Sequence, residues 1–243
     1  MSNTTFVRKE KKYLISTVQR EKLLELLPEF MKFDKYCRCG NMYTVNNVYF
    51  DNESYNVIRH STSKPIYKAK IRIRSYKVNV TDDDYVFFEM KKKFQGVVNK
   101  RRLTIKHRLL EEYLNDGVFP SELSTQELQV LKEIDYEIKR ENVKPKVYLT
   151  YLRTALYAKN DSSVRLTIDE DILARTDEPT LASNRYGDSL LPEGYYLMEI
   201  KVHGAFPLWL AHILSELRIF PTSFSKYGKF YENIVKGRNL NNE

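Results

Sequence analysis

Four cations recur at every second position of the stretch from Tyr67 to Tyr76, which reads Tyr-Lys-Ala-Lys-Ile-Arg-Ile-Arg-Ser-Tyr. In a β-strand successive side chains face opposite ways, so Lys68, Lys70, Arg72 and Arg74 share one face and Ala69, Ile71 and Ile73 the other. Like charges in a row repel, and burying them unpaired is expensive, so the row must meet water or an anion. Arginine offers a planar fork to phosphate oxygens and lysine a mobile point charge. The chemistry to which such a row is suited is the gripping of phosphates.

The same parity recurs in other alternating segments. Arg8, Glu10 and Lys12 share a face, as do Glu89, Lys91 and Lys93; Lys100 with Arg102; Arg165, Thr167 and Asp169; and Glu199 with Lys201, while Arg153 lies in a further segment. With Lys226 added, fourteen basic residues stand against the four acids Glu10, Glu89, Asp169 and Glu199, which leaves the remainder of a +8 chain slightly acidic. The opposite faces are mostly apolar, for example Val164, Leu166 and Ile168, or Met198, Ile200 and Val202. A single such strand reads as an ordinary solvated surface. Collectively the pattern describes a sheet with its core on one side and a cationic lining on the other. A carboxylate among so many cations either pairs with them or holds a Mg²⁺ or Mn²⁺ that bridges phosphates. Glu199 is the first candidate for the metal, with Glu10, Glu89 and Asp169 as charge partners.

The elements that must position these residues are mainly strands. Alternation predicts strands over 6–15, 43–50, 67–76, 85–94, 97–105, 146–156, 163–169 and 195–203, with Gln95-Gly96 closing a hairpin. Apolar spacing predicts a helix capped by Ser16 or Thr17 and running to about Phe33. Further helices are expected over 107–115, from a Ser124 cap with Glu127 at the capping-box position to Glu141, over 207–220, and from Ser225 to Lys236. The fold class is α+β: about eight antiparallel strands flanked by helices, in one domain spanning 1–243. Closed into a barrel, the strands would place the charges in a central passage wide enough for a narrow ligand.

Composition narrows the class further. Hydrophobic residues make up 42% and charged residues 30%, which fits a soluble globular protein. No apolar run approaches the roughly 18 to 20 residues of a membrane span, and the first residues lack a secretory signal, so the expected location is cytoplasmic. Cys37 and Cys39 are too close for a disulfide and read as loop residues. The four histidines match no zinc spacing. Positive charge invites nucleic acid, a membrane surface or polyphosphate. The runs Lys91-Lys92-Lys93 and Lys100-Arg101-Arg102 look like nucleic-acid patches, but alternation splits each run between two faces, and no nucleic-acid partner is expected.

Taken in order, Arg-Lys-Glu-Lys-Lys-Tyr (8–13), Lys-Ile-Arg-Ile-Arg (70–74), Phe-Glu-Met-Lys (88–91), Asn-Lys-Arg-Arg (99–102), Tyr-Leu-Arg-Thr-Ala (151–155), Val-Arg-Leu-Thr-Ile-Asp (164–169), Met-Glu-Ile-Lys (198–201) and Phe-Ser-Lys-Tyr (224–227) resemble the VTC polyphosphate polymerase domain. That domain is one of the triphosphate tunnel metalloenzymes, relatives of the CYTH proteins. The resemblance implies an eight-stranded antiparallel tunnel with a helix at its mouth. It also implies a polymerase that uses Mn²⁺ or Mg²⁺ to move the γ-phosphate of ATP or another nucleoside triphosphate onto a growing polyphosphate chain. Lys12, Lys70, Arg72, Arg74, Lys91, Lys100, Arg102, Arg153, Arg165 and Lys201 would grip phosphates, joined by Ser225 and Lys226 from the terminal helix. Arg72, Arg74, Lys91 and Glu199 would be catalytic, with Glu199 on the metal.

Two departures from the pattern matter. Arg8 stands where tunnel hydrolases and cyclases carry the first of two glutamates, which favours the polymerase branch. Ser223 stands where the family often has a lysine. The competing expectations are a tunnel triphosphatase and a non-catalytic module for polyphosphate, inositol phosphates or nucleic acid.

Overall fold

The structure, a computed structural model, describes the backbone of residues 8–37, 41–63 and 65–240. The first two residues of the strand expected from Phe6, and Cys39, lie outside the described residues, as does the side chain of Arg8. In chain order the elements are β1 (Arg8–Ser16), α1 (Thr17–Leu26), β2 (Met31–Phe33), β3 (Tyr43–Asp51), α2 (Asn56–Thr62), β4 (Tyr67–Ser75), β5 (Tyr85–Phe94), β6 (Val97–Lys106), α3 (His107–Asp116), α4 (Thr125–Glu141), β7 (Lys144–Ala158), β8 (Arg165–Arg175), β9 (Asp188–Ser189), β10 (Tyr195–His203), α5 (Leu208–Glu216), β11 (Pro221–Thr222) and α6 (Lys226–Leu240).

The fold is α+β, and the pairings β1–β10, β1–β11, β8–β10, β2–β7, β3–β4, β4–β5 and β5–β6 are antiparallel. Its eight long strands are those expected; β2, β9 and β11 are short additions of two or three residues. The expected closed barrel is not formed. Among the described residues the hydrogen-bonded ladder has two ends, β11 and β6, and does not return on itself.

The helix expected to reach Phe33 stops at Leu26. It begins as the sequence requires, with a capping box in which Ser16 and Gln19 satisfy each other's backbone N–H groups. Pro28 then lies in a single 3-10 turn over Leu27–Glu29, where its missing N–H is tolerated but an α-helix cannot continue. Met31, inside the expected helix, instead pairs in extended form with Ala158. Strand β8 runs on past Asp169 to Arg175, and the two-residue β9 lies between β8 and β10, where the alternation predicts no strand.

The chain forms two compact units. The first comprises Met1–Thr44, Tyr151–Ile172 and Ser189–Ser225. Its strands lie in the order β11-β1-β10-β8-β7, and its core combines Tyr13, Ile15, Leu166, Ile168, Met198 and Ile200 from the strands with Leu23 of α1 and Leu210 and Ile213 of α5. The second comprises Val45–Thr150, Leu173–Asp188 and Lys226–Glu243, with strand order β7-β3-β4-β5-β6. Its core joins Ile71, Ile73, Phe88, Met90, Leu103 and Ile105 to Leu110 of α3 and Leu131 and Ile134 of α4. Each such side chain contributes roughly 1.5–3 kcal/mol of burial, so the apolar faces of the alternating strands are fixed firmly to the helices. The opposite faces are thereby left to the charged residues.

Two-residue turns set the register that the charged rows depend on. Gln95 and Gly96 both adopt positive φ, 47° and 86°, the combination that matches the twist of a tight hairpin. At Gly187 (φ 141°) a side chain is excluded for a second reason, because an added Cβ would lie 2.6 Å from the carbonyl oxygen of Ala174.

Candidate active site

In the second unit, strands β4, β5 and β6 align their cations in cross-strand rows. Lys70 is opposite Lys91, which is opposite Lys100; Arg72 is opposite Glu89, which is opposite Arg102. Lys68 and Lys93 form a further pair along the same face. Such rows of like charge are unfavourable by themselves, and Glu89 is what holds the central one. Its carboxylate is 2% exposed and accepts from Arg72 Nε at 2.8 Å and Arg102 Nε at 2.6 Å, with Lys100 Nζ 2.6 Å away. Burial opposes ionisation, but the Arg72 guanidinium, the Lys100 ammonium and Arg74 prevail and hold the Glu89 carboxyl down at about 2.

Arg72 and Arg74 are also fixed from β3. Arg72 Nη1 donates to the Tyr49 hydroxyl at 3.2 Å, and Arg74 Nε donates to Asn47 Oδ1 at 2.9 Å. Tyr49 answers with a lowered pKa: burial pushes the phenol up, yet Arg72, Arg74 and Lys70 together bring it to about 8. Its ring stacks on Tyr227 of α6, with centroids 4.9 Å apart, and the Tyr227 hydroxyl donates to the buried Asp51 at 2.7 Å. Six cations named as phosphate ligands, Lys70, Arg72, Arg74, Lys91, Lys100 and Arg102, thus share a face with one carboxylate. Lys91 is exposed and carries no ion pair among the described residues.

The first unit presents a different balance. Lys12 is opposite Glu199, which is opposite Thr167; Glu10 is opposite Lys201, which is opposite Arg165. The result is a diagonal quartet. Lys201 Nζ makes a close ion pair with Glu199 Oε1 and lies 3.8 Å from Glu10, while Lys12 Nζ is 4.0 Å from both carboxylates. Lys12 also donates to the Phe224 carbonyl at 2.9 Å. That bond holds the Pro221–Phe224 strap against a cavity of about 350 Å³ lined in part by Glu10 and Lys12. Arg153 donates bidentately to Asp169 at 2.6 and 2.8 Å. Here four cations, Lys12, Arg153, Arg165 and Lys201, face three acids.

Asp169 is fully buried, and removing one partner of a buried pair leaves the other charge uncompensated. Asp169→Asn keeps a hydrogen-bond acceptor but loses the charge, so we expect a loss of about 2 kcal/mol. Denaturant unfolding with an unchanged midpoint would show the pair to be neutral.

A divalent ion fits the Glu199 quartet only in company with phosphate. Among the described residues there is no cluster of three or more His, Cys, Asp or Glu side chains, so no all-protein cage is formed. Glu199 and Glu10 nevertheless offer hard oxygens, and the register partner Thr167 carries a buried hydroxyl without a hydrogen-bond partner. Mg²⁺ commonly takes one or two carboxylates and completes its shell with phosphate oxygens and water, which suits this donor set.

The sequence-predicted residues are therefore distributed over two faces. Ser225 ends the first unit and Lys226 opens α6 in the second. Asn47 and Tyr49 of β3 were not singled out from the sequence, although their parity with Asp51 marks a polar face. Cys37 is a buried free thiol and accepts from the Ala155 N–H.

A family model described as the VTC domain matches residues 7–234. The chain belongs to the VTC domain family. Among curated proteins, subunit 4 of the vacuolar transporter chaperone complex of Schizosaccharomyces pombe (strain 972 / ATCC 24843) is similar to it, with 23% identity over 228 residues. The alignment covers 78% of this chain but 31% of that protein, so this VTC domain spans about a third of the relative's length. Among solved structures, a Bacillus halodurans protein provisionally assigned as an adenylate cyclase superposes with a TM-score of 0.50 at 16% identity, covering 90% of the VTC domain and 94% of the other chain. At that identity the likeness speaks to the fold.

Proposed function

We propose that this VTC domain is a metal-dependent polyphosphate polymerase, transferring the γ-phosphoryl group of ATP or another nucleoside triphosphate to the end of an inorganic polyphosphate chain. The observation that carries the reading is the register of β4, β5 and β6, which aligns six cations around a single buried carboxylate. A face with that surplus has no complement in neutral ligands. It suits a string of phosphates, each of which offers oxygens to guanidinium forks and ammonium groups.

In this reading Arg72, Arg74, Lys91, Lys100 and Arg102 hold and orient phosphates, with Lys70 beside them. Tyr49, Asn47 and Glu89 fix the guanidinium planes before ligand arrives, so little reorganisation accompanies binding. The more evenly balanced face of the first unit serves the metal. Glu199, with Glu10 and the Thr167 hydroxyl, would hold Mg²⁺ or Mn²⁺, while Lys12, Lys201, Arg153 and Arg165 would take phosphates on that same face. Bound there, the ion would neutralise phosphate oxygens and act as a Lewis acid. The terminal oxygen of the chain attacks the γ-phosphorus, the bond between that phosphorus and its bridging oxygen breaks, and the nucleoside diphosphate leaves. No protein nucleophile or proton acceptor is required, because the attacking phosphate oxygen is already anionic and positioning supplies most of the acceleration. Ser225 and Lys226, at the start of α6, would add to the grip on phosphate.

Incubation with ATP and Mn²⁺, followed by polymer staining and orthophosphate determination, tests the proposal. Long anionic polymer is the expected product; orthophosphate alone would make the protein a triphosphatase, and tight binding without turnover a recognition module. Arg72→Ala should weaken triphosphate binding by about 1.5–3 kcal/mol, the worth of a charge-assisted hydrogen bond. A calorimetric titration with unchanged affinity would remove Arg72 from the binding face.

A further inference from the structure

The hairpin joining β5 to β6 carries a feature that phosphate binding does not explain. From Lys91 to Arg102 the sequence holds six cations and no acid, interrupted by Phe94, Val97 and Val98. At the tip these three side chains are 54%, 72% and 51% exposed, and Ile66 is 70% exposed. The Gln95 N–H donates to the Ile66 carbonyl at 3.0 Å, which brings the Ile66 loop against the turn and makes the four residues one patch. Val97 and Val98 are consecutive in a strand, so apolar groups project from both sides of a narrow tip.

The cations behind the tip fall into two classes. Lys92 and Arg101, on the helix side, are neutralised by Glu137 and Glu133 of α4. Lys68 and Lys93, on the other side, are cross-strand partners. Neither has an ion pair among the described residues, and Lys68 rests on the Ser61 carbonyl at 3.1 Å. Partial burial, with repulsion from Lys93 and Lys91, depresses the Lys68 pKa, so an anion placed beside Lys68 gains more than it would beside an ordinary surface lysine.

We infer that the β5–β6 hairpin tip docks on an anionic lipid bilayer, with Phe94, Val97, Val98 and Ile66 entering the interfacial region and Lys68 and Lys93 meeting headgroup phosphates. A protruding wedge that is apolar on both sides suits a fluid medium that closes around it, whereas a protein partner would have to present a matching slot. Apolar insertion together with a basic collar is what stable interfacial binding requires. This inference is independent of the polymerase reading.

Co-sedimentation of the full chain with phosphatidylcholine vesicles, with and without phosphatidylserine, tests it, using inorganic tripolyphosphate to saturate the cationic faces. The expected result is binding to the anionic vesicles only, weakened but not abolished by tripolyphosphate, and falling at least about tenfold in V97S/V98S and severalfold in K93Q. Circular dichroism and triphosphate affinity of V97S/V98S should match the parent, since both residues are exposed. Absence of vesicle binding, binding that V97S/V98S leaves unchanged, or binding abolished by tripolyphosphate would each overturn the inference. So would self-association that V97S/V98S disperses in a protein that ignores vesicles, because the patch would then fit a second copy of the chain.

Discussion

Glu199→Gln is expected to lower metal-dependent polymer synthesis by at least about 10²-fold while leaving the fold intact, in line with the several kcal/mol that a bound ion supplies to developing phosphate charge. The substitution preserves shape and one acceptor oxygen but removes the charge that attracts a divalent cation. Lys201, which makes a close pair with Glu199, retains Glu10 at 3.8 Å, so the local structure has a substitute partner. The measurement is twofold: synthesis rate with ATP and Mn²⁺, and Mn²⁺ affinity in the presence of a non-transferable nucleotide. Both should fall together. Synthesis within a few-fold of the parent would remove Glu199 from the metal site and direct attention to Glu10.

Glu89→Gln is expected to destabilise the second unit by about 3–5 kcal/mol, the usual result of removing one partner from a buried ion pair. Arg72, Lys100 and Arg102 would then repel one another without a counter-charge. Because the missing charge is negative, added tripolyphosphate should restore more stability to the variant than to the parent. The same group sets a pH dependence. The Glu89 carboxyl titrates near 2 in the folded chain, against an ordinary value of 4.5. A depressed folded pKa means that its stabilisation is complete above about 4.5 and is lost as pH falls from there toward 2. Denaturant unfolding between pH 6 and pH 3 should therefore show a steeper acid loss in the parent than in Glu89→Gln. Parallel curves would show that another carboxylate governs acid unfolding.

Much of this arrangement is legible in single strands. Tyr67–Ser75 states its two faces outright, and the structure places Ile71 and Ile73 in the core and Arg72 beside Glu89 as alternation requires. The capping box at Ser124 and Glu127 is equally explicit. Less legible is anything decided by neighbours distant in sequence. Met31 fits a helical stripe as well as a strand, and Pro28 together with pairing to Ala158 settles the matter. Ladder closure depends on which edges find partners, and the end strands β11 and β6 carry no sign of it in their own residues. Asn47 and Tyr49 became visible as site residues only when β3 came to lie beside β4, because neither is charged and each reads alone as an ordinary strand residue.

The β4–β5 register has one more consequence. Moving two residues at a time along β4 brings a bound group from the Arg74 level to Arg72 and then to Lys70, in steps of roughly 6.5 Å, and each level offers at least one cation. A ligand whose own charge repeats along its length can advance by one level and exchange each contact for a similar one, so no intermediate position leaves it unheld. The same regularity that makes the face adhesive also makes it slippery lengthwise, which in the proposed polymerase would favour threading of an elongating chain over its release after each addition.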